Sequence, residues 1–292
     1  MDQYLQVFVT VVDKGNFSRA AEELHMTQPA VSQYIQTLER AVGARLLERT
    51  NKYVRLNKAG NAVYHHAKEI LGLYTKMQRI VDDLTNKASG ILTIGSSYTF
   101  GEYVLPHIMA KLQSSYPDIE PTITIANTKE IAESVANHQL DVGIVEGHFK
   151  EKNIRVEKLA EDSMFVVAAS KHPLINREDL EKETWIVREP GSGTREAQDA
   201  FFQKLNFTPK KLMEFGSTQL IKESVEAGLG ISLLSNWTIQ KELLLQSLKI
   251  IEIKGVPIKR EFSVITRTPF QTKALEVFLQ LLRENTFIPH QK

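Results

Sequence analysis

The sequence predicts an α+β multidomain protein with an N-terminal winged helix-turn-helix, a long linker helix and a C-terminal α/β domain. Three observations predict it. The first stretch, about sixty residues, has the apolar spacing of short helices and ends in a short apolar–basic alternation. The next stretch, about thirty residues, carries a single apolar seam of heptad type. The remainder switches to strands alternating with helices.

Composition sets the outer bounds. A chain of 292 residues has room for two or three domains. With 42% hydrophobic and 24% charged residues it can build packed cores, and it does not have the composition of a disordered chain. The net charge is +1, so any nucleic-acid surface must be a local patch. There is no cysteine, which excludes disulfides, thiol redox chemistry, a cysteine nucleophile and cysteine–zinc motifs. The opening MDQYLQVFVTVVDKGNF lacks the basic start and long apolar core of a signal peptide. No apolar run approaches the roughly 18 residues of a membrane span. The expectation is a cytoplasmic protein without a membrane partner.

Leu5, Phe8, Val9 and Val12 recur at helical spacing, so residues 2–14 read as an amphipathic helix stopped by Gly15 and Asn16. Ser18 is the expected N-cap of a second helix over residues 19–25, with Ala20, Ala21 and Leu24 inward. The two alanines permit close approach of another helix. Thr27 can cap a third helix whose first turn holds Pro29, where a missing amide proton costs little. Val31, Ile35, Leu38 and Val42 form its apolar stripe, and Gly43 stands where a glycine C-cap belongs. Gln28, Ser32, Gln33 and Gln36 are left facing outward, and long amides can read base edges in a major groove. Residues 45–56 then read as a small hairpin around Thr50, Asn51 and Lys52. Between residues 28 and 58 six basic side chains face two acidic ones, a local excess of four positive charges. Each feature alone has a plain structural explanation. Their adjacency, a polar recognition helix beside a basic hairpin, is the electrostatic footprint of a double-stranded DNA partner.

This segment, FVTVVDKGNFSRAAEELHMTQPAVSQYIQTLERAVGARLLERTNKYVRLNKAG, resembles the LysR-type transcriptional regulators. The AAEELHMTQPAVSQYIQTLE portion is highly specific for that family, and the likeness extends more weakly through the rest of the chain. The resemblance implies a third helix in the major groove and a wing on the neighbouring backbone or minor groove. Carried over by position, it places Thr27, Gln28, Pro29, Ala30, Ser32 and Gln33 on the groove-facing helix, and Arg49 and Thr50 in the wing. Many family members carry a basic residue where this chain has Gln33. Glutamine suits adenine where arginine suits guanine.

Asn57 can cap a long helix reaching about residue 86, in which Ile70, Leu73, Met77, Ile80 and Leu84 form a heptad seam. Such a seam serves either an amphipathic helix packed on its own domain or a two-fold dimer presenting two recognition helices. The resemblance implies the dimer, and a tetramer of two dimers. Lys87-Ala88-Ser89-Gly90 reads as a hinge. The expected domains are therefore residues 1–58, 59–88 and 89–292.

In the last domain, strands are expected at residues 91–95, 122–126, 141–145, 164–168 and 231–234, and helices at 103–114, 129–137, 194–205, 218–227 and 273–283. The resemblance implies two α/β lobes of periplasmic-binding-protein type: lobe I about 89–161 and 267–292, lobe II about 162–266. Crossing strands are expected near residues 159–161 and 266–268. Ligands of open α/β sheets bind beyond the carboxyl ends of strands. Four small polar loops stand at such ends, around residues 95–99, 126–128, 189–195 and 215–219. Ser96, Ser97, Thr99, Thr128, Gly193 and Thr194 are the candidate effector residues, suited to a small anion, with Glu146 and His148 close by and Arg195 a further cation. Any one of these hydroxyls could be a mere helix cap; convergence on one cleft is the expectation.

Other classes fit less well. The eight histidines show no metal-ligand spacing, the GSGT segment lacks a P-loop lysine, and no GxSxG elbow is present, so neither catalysis nor a metal or other cofactor is expected. A solute-binding protein would leave the N-terminal module unexplained. The resemblance favours sulfur or amino-acid metabolism, partly through IANTKE and EPGSGTRE, with RNA polymerase as a downstream partner.

Overall fold

The computed structural model describes residues 2–49, 54–83, 88–147, 154–173, 176–267 and 271–284. Thr50, Asn51, Lys52, Leu84, Lys87, His148 and residue 268, named above, lie outside the described residues. The chain forms two compact units divided near residue 84.

The first unit starts with α1 (Asp2–Lys14), which buries Leu5, Val7, Phe8, Val9 and Val11. Next comes α2 (Phe17–Glu23), which starts and ends earlier than its sequence suggests. Its cap is Asn16, not Ser18: the Asn16 Oδ1 accepts from the Ser18 and Arg19 amides at 2.8 and 3.1 Å. Asparagine caps as well as serine does, and here it stands two residues earlier. Ala20 and Ala21 are buried, while Leu24 is the half-buried C-cap. In α3 (Gln28–Val42), Thr27 is the N-cap, Pro29 lies in the first turn, and Gly43 closes the helix with φ 77°. That positive φ is nearly free for glycine and strained for other residues. Val31, Ile35 and Leu38 are buried; Val42 is exposed in the last turn rather than part of the stripe.

The wing pairs β1 (Leu47–Arg49) antiparallel with β2 (Val54–Leu56), Leu47 opposite Leu56. Two side chains fix its base. The Glu39 Oε1 accepts from the Leu46 and Leu47 amides. The Asn57 Nδ2 donates to the Arg45 carbonyl, while its Oδ1 accepts from the Gly60 amide and so caps α4 (Lys58–Asp83). On α4, Ile70, Leu73 and Met77 are 50, 46 and 52% exposed. This face is therefore not used by the core of its own unit.

The second unit has a mixed sheet. Its first lobe contributes β3 (Gly90–Ser96), α5 (Tyr98–Tyr103), α6 (Leu105–Ser115), β4 (Ile119–Ile125), α7 (Thr128–Ala136) and β5 (Val142–Glu146). Strand β3 is central and parallel to both β4 and β5. The helix expected over 103–114 is α6, which starts at Leu105 with Pro106 in its first turn, where proline can start a helix but not continue one; a separate short helix, α5, precedes it. Strand β6 (Arg155–Ala169) then carries the chain into the second lobe. There follow β7 (Thr184–Val187), α8 (Gly193–Lys204), β8 (Lys211–Glu214), α9 (Thr218–Glu226), β9 (Ser232–Ser235), α10 (Asn236–Leu244) and β10 (Leu248–Ile250). Finally β11 (Ile258–Thr266) returns to the first lobe, and α11 (Lys273–Arg283) packs there.

Strands β6 and β11 pair with each other through the crossing, Glu161 opposite Glu261. Phe262 faces Ala160 and Ser263 faces Lys158, so Leu159 is the extra residue of a bulge. The passage of β11 falls at Arg260 to Phe262 and not near 266–268: Phe262 to Ile265 already pair with β5 of the first lobe, and Thr266 lies opposite Arg155. Each lobe has helices on both faces of its strands. In the second lobe Met164, Val166 and Ala168 of β6 face one core while Val167 faces another, the period of two of a strand buried on both sides.

Candidate functional site

The first unit presents a polar helix start. Thr27, Gln28, Pro29 and Gln33 are exposed, and Ala30 and Ser32 half-buried. The Thr27 hydroxyl accepts from the Ala30 amide at 3.4 Å, so it also has a structural duty. Arg49 ends β1 at the wing. Around this surface Arg40, Arg45, Arg55 and Lys58 are exposed, whereas Glu39 is half-buried and held by backbone amides. Glu39 is thus turned inward and these four cations outward, as a phosphate-facing surface requires, while Glu48 stays exposed in the wing.

The second unit has a buried polar cluster between its lobes. Its centre is Arg260, which is 5% exposed. Its Nε donates to the Asp162 Oδ2 at 2.7 Å, and its NH1 to the Glu146 Oε2 at 2.5 Å and the Thr194 Oγ1 at 3.0 Å; its NH2 donates to the Thr99 Oγ1 at 3.0 Å. The Glu146 carboxylate is met on both oxygens. Oε1 accepts from the Ser97 hydroxyl at 3.1 Å and the Thr99 amide at 3.2 Å, and Oε2 from the Thr194 hydroxyl at 3.2 Å as well as Arg260. The Ser235 hydroxyl donates to the other oxygen of Asp162 at 2.8 Å. Burial pushes the Asp162 carboxyl above its ordinary value, although Arg260 and Ser235 pull it the other way. Burial also works against the charge of Arg260, but the two carboxylates outweigh it and hold its proton more firmly than usual.

The candidate effector residues divide by geometry. Ser97, Thr99 and Thr194 meet at the Glu146 carboxylate. Thr128 lies next to them but bonds the Glu146 backbone, donating to its carbonyl at 3.2 Å. A Cβ on Gly193 would stand 2.5 Å from the Glu146 carbonyl oxygen, so that glycine serves a close backbone approach between lobes. Ser96 points away: its hydroxyl donates to the Ser97 carbonyl, and its side chain lies against Gly101. Arg195 is bound to Asp199, Glu214 and the Arg188 carbonyl, on the second lobe.

A second cation, Arg188, lines the same cleft. It grips its neighbour Glu189 through two 2.7 Å bonds, donates to the Thr218 hydroxyl at 3.0 Å and stacks 4.4 Å over the Tyr98 ring. Burial opposes the charge of Glu189, but the Arg188 guanidinium, a backbone amide and Asn127 keep its carboxyl below the usual range. Farther along, Lys222 bonds Tyr103 at 3.0 Å and Glu242 at 2.7 Å, joining helices of opposite lobes. Asp162, Arg188 and Arg260 escape sequence reasoning. The one available signal is a charged residue at the start of an apolar strand run, DSMFVVAA or REFSVIT. Among the described residues no group of three or more His, Asp or Glu side chains could hold a metal ion.

A winged helix-turn-helix on one unit and a two-lobed α/β domain with a polar cleft on the other define a DNA-binding regulator with a ligand domain. Family models agree. Residues 3–61 match the bacterial regulatory helix-turn-helix protein, lysR family, and residues 85–286 the LysR substrate binding domain. The chain is 36% identical over 287 residues to the HTH-type transcriptional regulator CysL of Bacillus subtilis (strain 168), covering 96% of both chains. The crystal structure of full-length CbnR complexed with its target DNA has the same fold, with TM-score 0.71, 21% identity, and coverage of 97% of this chain and 99% of that one. The Synechocystis PCC6803 CcmR regulatory domain in complex with 2-PG matches with TM-score 0.61 and 28% identity, over 68% of this chain and 98% of that one. The chain belongs to the LysR family of bacterial transcriptional regulators.

Proposed function

We propose that promoter binding by this regulator responds to a small anionic metabolite held between the two lobes, and that its promoters serve sulfur or amino-acid metabolism. One observation carries the anion class: Ser97, Thr99, Thr194 and Arg260 direct four donors at a carboxylate, which is how a protein recognises a small anion. The 2-PG complex of a relative's regulatory domain supports a small-molecule ligand in this fold. The likeness to CysL is compatible with a sulfur role.

On the DNA side, Gln33 reads a base and Arg49 a phosphate, with Thr27, Gln28, Pro29, Ala30, Ser32 and Thr50 completing the contact surface. The exposed Ile70, Leu73 and Met77 favour a two-fold dimer through residues 59–88, and dimers pair into tetramers. Effector binding alters lobe closure, and so the spacing of recognition helices and RNA polymerase recruitment. It does so through unequal affinity for the two arrangements. The protein acts in the cytoplasm, as a regulator and not an enzyme. The deciding test is a gel shift on promoter fragments from its own genome at several salt concentrations, with calorimetry of small anions at millimolar levels. Salt-sensitive binding that shifts with an anion supports this reading; no affinity for any fragment overturns it.

A further inference from the structure

The hydroxyls, amide and guanidinium that would receive an effector anion already hold one. Their ligand is the side chain of Glu146, at the end of β5. We propose that Glu146 is a tethered ligand of the anion seat: a free anion enters among Ser97, Thr99, Thr194 and Arg260 only by displacing this carboxylate, and Glu146 therefore sets how much anion the regulator needs before it responds. The proposal rests on the reading of the cleft as an anion receptor and adds the competitor within it.

Three features support it. First, occupancy is complete, with two donors on each oxygen of Glu146. Every side chain in the cluster is buried, and the four donors that reach this carboxylate are already engaged by it. Second, charge counts against a further anion. Arg260 faces two carboxylates, Glu146 and Asp162, and is the cation that both of them touch. A third negative group beside them would add uncompensated charge in a buried place, where Coulomb repulsion is weakly screened. That balance is kept when the Glu146 side chain swings out to water as the anion takes its place among the donors. Third, the competitor is covalently attached. A tethered group has an effective local concentration that a free ligand must exceed, on the order of millimolar or more. Glu146 is also locked at its backbone, where Thr128 bonds its amide and carbonyl and Gly193 of the opposite lobe packs against its carbonyl. The same carboxylate that fills the seat thus bonds side chains of both lobes, Ser97 and Thr194.

The experiment is chemical rescue in the full-length protein. Glu146→Ala removes the carboxylate and leaves its donors facing a cavity; Glu146→Gln keeps the shape and removes the charge. Acetate is the first probe and inorganic sulfate the second, read by thermal melting and calorimetry. A ligand that binds only the native state raises the melting temperature in a concentration-dependent way. The expected result is that acetate stabilises Glu146→Ala, with affinity at least about tenfold above that of wild type, and that Glu146→Gln falls between them. Adding Thr194→Ala to Glu146→Ala should weaken the acetate response, because one of the seat's donors is then gone. If neither variant binds acetate or sulfate more tightly than wild type, Glu146 is a structural ion-pair partner and the proposal is overturned. It is equally overturned if wild type binds acetate as tightly as Glu146→Ala. Promoter gel shifts with wild type run alongside; their failure would remove the regulatory reading while leaving the acetate result to judge this one.

Discussion

Arg260 sits in the molecule's most demanding electrostatic position. Its guanidinium holds two buried carboxylates apart, and removing it would strand both. Breaking a buried pair from one side costs about 3–5 kcal/mol, so Arg260→Met should lose roughly that much in urea denaturation. A loss below about 1 kcal/mol would mean that water readily replaces the guanidinium. A second ion pair gives a pH test. Arg283 binds both oxygens of Glu157 at 2.7 and 2.8 Å, and this bonding holds the Glu157 carboxyl below its ordinary value. A carboxyl lowered in the folded state contributes stability above its unfolded pKa of about 4.3 and loses it as pH falls through the folded value. Glu157→Gln should therefore lower stability at neutral pH by about 1 kcal/mol or less, with the difference vanishing in acid melts. On the DNA face, Gln33→Ala should relax base preference by about 1–3 kcal/mol of discrimination, whereas Arg49→Ala should weaken all sequences alike and lower the salt slope by about one. A competition footprint at several salt concentrations separates the two. The cleft was partly legible from sequence. Ser97, Thr99 and Thr194 could be chosen because small polar residues after strands are visible as a pattern. Glu146 could be set beside them because it follows the third strand, but Asp162 and Arg260 could not, since they lie 98 positions apart and only the folded crossing joins them.

Elements were readable where local chemistry decides them. The last helix, α11, follows from its amphipathic spacing alone, and α3 from Thr27, Pro29 and Gly43 together. Reading failed where two local signals competed or tertiary pairing ruled. Ser18 and Asn16 are both good caps, and only the geometry shows that Asn16 is used. Asn16→Ala should cost about 1 kcal/mol in thermal or chemical melts while Ser18→Ala stays within about 0.5 kcal/mol. The reverse order would restore the later helix start. Strand β11 shows no alternation that marks it, because IKREFSVIT runs from one lobe into the other and its inward face is charged on one side of the crossing and apolar on the other. The edge strand β8, KLME, is exposed throughout and carries no burial signal at all.

At the scale of the whole protein, the exposed stripe on α4 should control assembly. Leu73→Asp places a charge in the middle of the seam Ile70, Leu73 and Met77. The expected outcome is a smaller particle by sedimentation, with loss of binding to paired half-sites but retained weak binding to single ones. An unchanged mass would mean that this helix face is not the dimer contact. A different constraint follows from the way β6 and β11 cross side by side. Because the two strands are laced together by their own backbone bonds, one lobe cannot slide along the other; it can only twist about that ribbon, most easily at the irregularity around Leu159. The same lacing makes length unforgiving. Deleting one residue from β11 ahead of Phe262 would turn its side chains over, sending Arg260 toward solvent and a neighbour into its place. Evolution or engineering can thus retune this receptor by exchanging side chains along the ribbon, but not by adding to or trimming it.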